Sequence, residues 1–295
     1  MVDRLESRLP YLALIIGMFA ISTSAILIRY SNSDPIVIGS YRQSFATLFF
    51  VPFLFKGSST ELRSLSSSKF FEMSFTGFLL GLHFAFFISS VKSTSVAASV
   101  LLATCHIIYV AIIGWIVFDE RLSQKAIVGT LISLLGILIL FGGDLMSDPG
   151  NFEGNLFAFI AGVLAGLYYL SGRRLRKEIS LPTYALVVYF FSALTMWLVV
   201  LIQDLDYTNL PLFELQLFLL MALVPTLLGH TMQNWALGFL PAYIVSISLL
   251  AEPIGSGLLA WIIFYELPSL GVIIGGIIVM IGLYLVTSAE QEVKD

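Results

Sequence analysis

Apolar residues fill ten stretches of the chain, and each stretch is about as long as a helix that crosses a membrane. A helix needs roughly 20 apolar residues to cross the hydrocarbon core of a bilayer. Charged residues or clusters of proline, glycine and asparagine separate the stretches. The pattern therefore predicts membrane-spanning helices at residues 10–30, 35–55, 70–90, 95–117, 123–142, 153–172, 182–203, 213–238, 241–264 and 268–287.

The connections between these spans are short, so the sequence predicts an all-α integral membrane protein with no soluble domain. The longest connection runs from Lys56 to Lys69 and is rich in serine, and we expect it to be a loose loop. The first span has no obvious cleavage site and is long enough to cross the membrane. We therefore expect it to be a membrane helix and not a cleaved signal peptide.

The composition supports a membrane location and excludes several classes of soluble protein. Hydrophobic residues make up 58% of the chain and charged residues 12%, whereas an ordinary soluble domain is about 25% charged. The net charge of −4 and the scattered basic residues do not favour a nucleic-acid partner. The single cysteine, Cys105, cannot form an internal disulfide.

Lysine and arginine are concentrated on one side of the predicted spans. With the N-terminus inside the cell, all of the 15 basic residues except Arg29, Arg42 and Lys92 lie on the cytoplasmic side. Cytoplasmic loops carry an excess of such residues. We expect a multi-pass protein of the plasma (inner) membrane with both termini in the cytoplasm.

Two parts of the chain are similar to each other without gaps. Residues 115–140 align with residues 261–286 at an offset of 146, with 9 of 26 positions identical, among them Trp115/Trp261 and Ser123/Ser269. The alignment predicts two repeats of five spans each, at residues 1–145 and 146–295. Because five is odd, the second repeat enters the membrane in the inverted orientation, as in many secondary transporters.

These residues resemble a known family. The stretch from Trp115 to Ser123, its second copy from Trp261 to Ser269, and the Glu252-Pro253 pair are similar to EamA-type members of the drug/metabolite transporter superfamily. Arg42, in the second span, is also similar to the family pattern. The resemblance implies ten helices around a central cavity, a peripheral place for the fifth and tenth helices, and export of small metabolites. It does not imply identical roles for Glu120 and Glu266.

Glu252 is the strongest candidate for a site residue. A carboxylate near the middle of a bilayer costs about 2.5–3.5 kcal/mol on insertion scales, so such groups usually mark functional sites. Pro253 also removes the backbone hydrogen bond to the Leu249 carbonyl. The repeat offset places His106 at the position equivalent to Glu252. We expect both side chains to face one cavity, although His106 could instead be a neutral residue bonded to a helix carbonyl.

Other polar and aromatic residues inside the spans are further candidates for binding substrate or protons. Thr226, His230 and Asn234 share a helix face at a spacing of four, as do Ser248, Glu252 and Ser256. Such stripes could also hold helices together without binding anything. Arg42 could bind a carboxylate or reach the lipid headgroups. The complete set of candidates is Glu252, His106, Arg42, His83, Tyr168, His230, Gln233, Asn234 and Trp235.

A secondary transporter fits this pattern better than an enzyme or a channel. The sequence has no HExxH motif, no nucleophile constellation and no Walker A motif. We therefore expect no enzymatic activity, no cofactor and no bound metal. The expected partners are the lipid bilayer and a small-molecule substrate, and the chain is a monomer or a homodimer. Amino acids or related amines are the expected substrates and cationic drugs the alternative, with proton coupling left open.

Overall fold

The computed structural model describes residues 9–109, 123–176, 178–236, 239 and 248–292, and these residues form helices and connecting turns without any strand. A 3-10 helix covers Val51–Lys56 and a π-helical segment covers Ala222–Thr231. The α-helices are α1 (Leu9–Ser22), α2 (Ser24–Tyr30), α3 (Pro35–Phe50), α4 (Ser58–Ser64), α5 (Ser67–Ser93), α6 (Val96–Thr104), α7 (Gln124–Ser147), α8 (Asn151–Leu175), α9 (Leu181–Ile202), α10 (Leu212–Met221), α11 (Met232–Ala236), α12 (Ala251–Phe264) and α13 (Leu270–Glu292).

Each predicted span coincides with helical structure in the described residues. Among the described residues, six continuous apolar segments are long enough to cross a membrane, and the shorter apolar helices are Val96–Tyr109, Ala251–Phe264 and Leu270–Val286. The fourth span begins as α6 and continues as a helix to Tyr109, while residues 110–122 and with them Glu120 lie outside the described residues. The prediction of an all-α membrane protein is confirmed.

The inverted repeat is visible where α7 packs against α13. A Cβ atom added to Gly129 would lie 2.7 Å from the carbonyl oxygen of Gly282, and one added to Gly136 would lie 2.8 Å from that of Gly275. Gly129 is equivalent to Gly275 and Gly136 to Gly282, so the two contacts exchange when the repeats are exchanged. Such reciprocal contacts are the property of a two-fold axis. The two helices are therefore antiparallel, as an inverted repeat requires.

The residue at the centre of this interface contacts its own repeat equivalent. Ser133 Oγ donates a hydrogen bond to the Val279 carbonyl over 3.3 Å, and the two residues are separated by the repeat offset of 146. Four further helix pairings follow the same symmetry. The packing of α5 against α8 is equivalent to the packing of α1 against the π-helical segment. The pairs α3 with α9 and α6 with α12 each join equivalent spans of the two repeats. The two repeats interlock along the whole bundle.

The serine shared by the two repeats begins a helix in each of them. Ser123 Oγ accepts a hydrogen bond from the backbone N–H of Ala126 at the start of α7, and Ser269 Oγ accepts one from Val272 at the start of α13, both over 3.2 Å. A side-chain oxygen at this position satisfies an N–H that has no partner within the helix. The Ser123/Ser269 identity is thus explained by helix capping.

The connection from Lys56 to Lys69 differs from the expected loose loop. It contains α4, and Glu61 of this helix accepts a hydrogen bond from the backbone N–H of Ser180 over 2.8 Å. Lys69 forms an ion pair with Glu178. The expectation was wrong because serine-rich composition indicates weak hydrophobic burial but carries no information about contacts with the other repeat.

Candidate functional site

A small polar cavity lies between the two repeats. It has a volume of about 40 Å³ and contacts the first, third, fourth, sixth, eighth and ninth spans. A second void of about 20 Å³ shares His83, Phe84, Tyr169 and His230 with it. The polar residues that line the larger cavity are Ser24, His83, Thr104, His106, Tyr169, His230 and Glu252.

The structure brings His106 and Glu252 to this same cavity. In both repeats the helix is interrupted just before the side chain, by a turn at Cys105 in the fourth span and at Leu250 in the ninth. The two interruptions occur within one residue of equivalent positions. Glu252 therefore lies in the first turn of α12, where the helix dipole stabilises a negative charge.

The helix break also explains Pro253. The first four N–H groups of a helix have no partner within it, and Pro253 is the third residue of α12. Its missing N–H therefore removes no hydrogen bond from α12 itself. Ser256 Oγ donates to the Glu252 carbonyl over 2.7 Å, one turn further along. The local sequence places a carboxyl at the start of a helix in the interior of the bundle.

Two of the cavity histidines are oriented by backbone carbonyls. His83 Nδ1 lies 2.8 Å from the Ala161 carbonyl oxygen, and His106 Nδ1 lies 3.2 Å from that of Ala103. A histidine that donates through Nδ1 keeps Nε2 available as an acceptor when it is neutral. The ring of His106 also stacks on Tyr169 with 4.8 Å between centroids. His106 thus both bonds to a helix carbonyl and lines the cavity, and its role in binding stays a prediction.

Arg42 is fully buried within the bundle. Its Nε donates to Thr226 Oγ1 over 2.8 Å and its Nη1 donates to Ser24 Oγ over 3.0 Å. The guanidinium carbon lies 4.4 Å from the centre of the Phe84 ring. Its Nη2 has no hydrogen-bond partner among the described residues. Ser24 and Phe84 line the cavity, so Arg42 lies directly behind the cavity wall, inside the bundle.

The π-helical segment places Thr226 against Arg42. Pro225 has no N–H to donate to the Met221 carbonyl, four residues earlier. Thr226 Oγ1 donates to that carbonyl over 3.0 Å and accepts the hydrogen bond from Arg42. Thr226 and His230 both line the second void. The missing N–H of Pro225 thus leaves a carbonyl that Thr226 binds, and Thr226 in turn binds the buried Arg42. Turns of π-helix often occur at functional sites.

The remaining candidates divide into two groups. Tyr168 lines the second void and is hydrogen-bonded to Asn234. Gln233 instead faces α1, because a Cβ atom on Gly17 would lie 3.6 Å from its Cγ atom. Trp235 packs against Phe239 with 4.6 Å between ring centroids. Gln233 and Trp235 are therefore not among the residues that line either cavity.

Several contributors to the cavity were not selected from the sequence. Ser24 and Thr104 are small hydroxyl residues in apolar spans, and such residues are too common in membrane helices to be singled out. Tyr189 lines the second void and is hydrogen-bonded to Thr231 over 3.1 Å. The available signal for Tyr189 was its position near the middle of a span, which it shares with many aromatic residues.

Comparisons with known proteins agree with this architecture. The sequence model of the EamA-like transporter family matches twice, at residues 8–142 and 152–288. A WAT1-related protein of Arabidopsis thaliana is 25% identical, with 96% of this chain and 90% of the relative covered. An uncharacterized transporter of Archaeoglobus fulgidus is 26% identical, with 93% and 96% covered. A crystal structure with 18% identity has the same fold, with a TM-score of 0.63 over 95% of this chain and 97% of the other.

Proposed function

Because the chain belongs to the EamA-like transporter family, we propose that it is a secondary transporter that exports or exchanges small metabolites by alternating access. The observation that carries this proposal is the polar cavity between the repeats, lined by His106 and Glu252 at equivalent positions. Inverted-repeat transporters bind substrate near the membrane midplane, between the repeats and beside interrupted helices. The two halves would rock about this site and expose it to each side in turn.

The chemistry of the cavity wall supports amino acids or related amines as substrates. Glu252 offers a carboxylate for an ammonium group. Arg42 lies behind Ser24 and Phe84, and its Nη2, which has no hydrogen-bond partner among the described residues, offers a donor for a carboxylate once the bundle opens. Phe84 and Tyr169 provide aromatic surface for an apolar part of the substrate. A substrate with both charges would be paired at each end. A purely cationic drug, the alternative, would meet the positive charge of Arg42 without a compensating group.

The size of the cavity supports a conformational change during transport. Ligand pockets usually enclose about 300–1,000 Å³, whereas this cavity encloses about 40 Å³. It is too small for an amino acid, so the bundle must open before substrate enters.

The distribution of basic residues supports an orientation with both termini in the cytoplasm, and the repeat alignment supports a division between residues 145 and 146.

The test is transport by the purified protein in liposomes. Uptake and counterflow of amino acids and aromatic amines would be measured with and without an imposed pH gradient. Glu252→Gln removes the ionisable group and keeps the shape, so we expect it to abolish flux driven by the gradient in a folded protein. Glu153→Gln, which removes an exposed carboxyl at the start of α8, is the matched control and should transport normally.

Each result has a definite meaning for the proposal. Saturable flux that is lost in Glu252→Gln and kept in Glu153→Gln supports a substrate or proton site at α12. Unchanged flux with unchanged pH dependence in Glu252→Gln would contradict the proposed role of this carboxyl. Absence of flux for every compound in the folded wild-type protein would contradict the proposed substrates.

A further inference from the structure

Glu61 joins the two repeats at one end of the bundle. It lies in α4, between the second and third spans of the first repeat. Its carboxylate accepts hydrogen bonds from the backbone N–H of Ser180, from the Ser180 hydroxyl and from the Thr183 hydroxyl. Ser180 and Thr183 belong to the start of α9 in the second repeat. We name this contact set the Glu61 latch.

Glu214 makes the corresponding connection at the other end. It lies in the first turn of α10, at the start of the third span of the second repeat. Its carboxylate accepts hydrogen bonds from Asn32 N–H over 2.8 Å, from Ser33 Oγ over 3.1 Å and from Ser31 Oγ. These three residues form the turn between α2 and α3 in the first repeat. We name this contact set the Glu214 latch.

The two latches are related by the inverted repeat. Pro35 and Pro182 both lie in the first turn of the second span of their repeats, at an offset of 147. The same offset places Ser33 at the position of Ser180, and each serine hydroxyl donates to the glutamate of the opposite repeat. A serine at equivalent positions therefore binds a glutamate of the opposite repeat at each end, although the two glutamates are separated by 153 positions (214 − 61) and not by 147.

Each latch also has a neighbouring cation that binds the same turn. Arg176 Nη1 donates to the Ile179 carbonyl over 2.6 Å, and its charge acts on Glu61. Lys92 Nζ donates to the Ser31 carbonyl, and its charge acts on Glu214. Each glutamate thus has several hydrogen-bond donors and a nearby positive charge. Hydrogen bonds to an ionised carboxylate are stronger than hydrogen bonds between neutral groups.

The latches lie on opposite sides of the membrane. Lys69, beside the Glu61 latch, is near the start of α5, and Lys92 is near its end. A helical rise of 1.5 Å per residue separates these two lysines by about 35 Å. The central cavity lies between the two ends. With both latches formed its volume is about 40 Å³, which is too small for an amino acid.

We propose that Glu61 and Glu214 are positioning residues for transport, such that release of the Glu61 latch opens the cavity to one side and release of the Glu214 latch opens it to the other. This inference rests on the proposed alternating access. It assigns the two sides of the cycle to two specific carboxylates. It also requires that loss of the Glu61 carboxylate and loss of the Glu214 carboxylate shift access to the cavity toward opposite sides of the membrane.

The test measures access to the cavity from each side of the membrane. Cys105 is the only cysteine, so Cys105→Ala followed by Thr104→Cys places a single thiol on the cavity wall. A membrane-impermeant maleimide is then added from either side of oriented vesicles. A separate Thr60→Cys variant, exposed in α4, identifies the side on which Glu61 lies.

We expect opposite changes in the two latch variants. Glu61→Ala should raise labelling from the Glu61 side by about tenfold and lower it from the other, since one hydrogen bond to a charged group can shift an equilibrium by that factor. Glu214→Ala should do the reverse. Asp206→Ala removes a carboxylate that, within the described part of the chain, accepts hydrogen bonds only from Thr208 and Asn209 beside it, and it should change neither rate.

The outcomes separate this inference from the proposed function. Equal changes from both sides in both variants, or unchanged rates in folded protein, would overturn the latch assignment even if transport depends on Glu252. Opposite changes would support the latches even if no tested compound is transported, because the labelling needs no substrate. Retention of a single size-exclusion peak confirms that a variant is folded, and Glu61→Gln and Glu214→Gln serve where an alanine variant does not fold.

Discussion

Adjacent glycines in α7 give a direct measure of how closely the two repeats approach. A Cβ atom on Gly143 would lie 2.5 Å from the Cα atom of Gly271 in α13, whereas one on Gly142 would meet nothing within 4 Å. Alanine in place of glycine favours the helix by about 1 kcal/mol at either position. Overpacking a closely packed site costs about 1–3 kcal/mol. We therefore expect Gly143→Ala to be less stable than Gly142→Ala by about 1–3 kcal/mol.

The measurement is unfolding of both variants in mixed micelles of increasing SDS content, followed by circular dichroism. Since the helix propensity change is common to both variants, the difference in free energy of unfolding reports only the contact with Gly271. Gly136→Ala, which would place a Cβ atom 2.7 Å from the Val279 backbone nitrogen, should behave like Gly143→Ala. Equal stability of the Gly142 and Gly143 variants would refute the close packing of α7 on α13.

Two further predictions concern charged groups. Arg42→Lys should lose one of the hydrogen bonds to Thr226 and Ser24, because a lysine lacks the planar fork of arginine. The same SDS assay should show that the free energy of unfolding falls by about 1.5–3 kcal/mol. Unchanged stability would contradict the buried geometry of Arg42. Burial raises the pKa of Glu61, but the hydrogen bonds from Ser180 and Thr183 lower it by more, so the pKa lies below the ordinary glutamate value. The Glu61 carboxylate thus stabilises the fold above its unfolded pKa, and this contribution is lost as the pH falls through the folded pKa. Glu61→Gln should lower the thermal stability at neutral pH and have less effect on acidification, whereas a difference that is constant with pH would argue against this role.

The membrane architecture could be predicted from the sequence because its signals are local. Apolar runs of bilayer length identify the spans, and the match of Trp115 to Ser123 with Trp261 to Ser269 identifies the repeat. The equivalence of His106 and Glu252 followed from the repeat offset alone. Their approach to one cavity also requires that both positions lie near the two-fold axis, which the structure shows.

The candidate site could be predicted only in part. Polar type and depth selected His83 and His230 correctly as cavity residues. The same criteria selected Gln233, which faces α1, because hydropathy does not reveal which side of a helix meets which neighbour. The π-helical turn at Pro225 changes the rotation of the residues that follow it, so a spacing of four residues is an incomplete guide there.

The sequence by itself determined the spans and their inverted repetition, because these depend on composition and spacing along the chain. Only the tertiary structure decided that Arg42 is buried between Ser24 and Thr226, and that Glu61 and Glu214 reach into the opposite repeat. The physical reason is that a charged side chain is stabilised by its hydrogen-bond partners. Those partners lie between about 20 and 180 residues away in the chain, and packing alone brings them together.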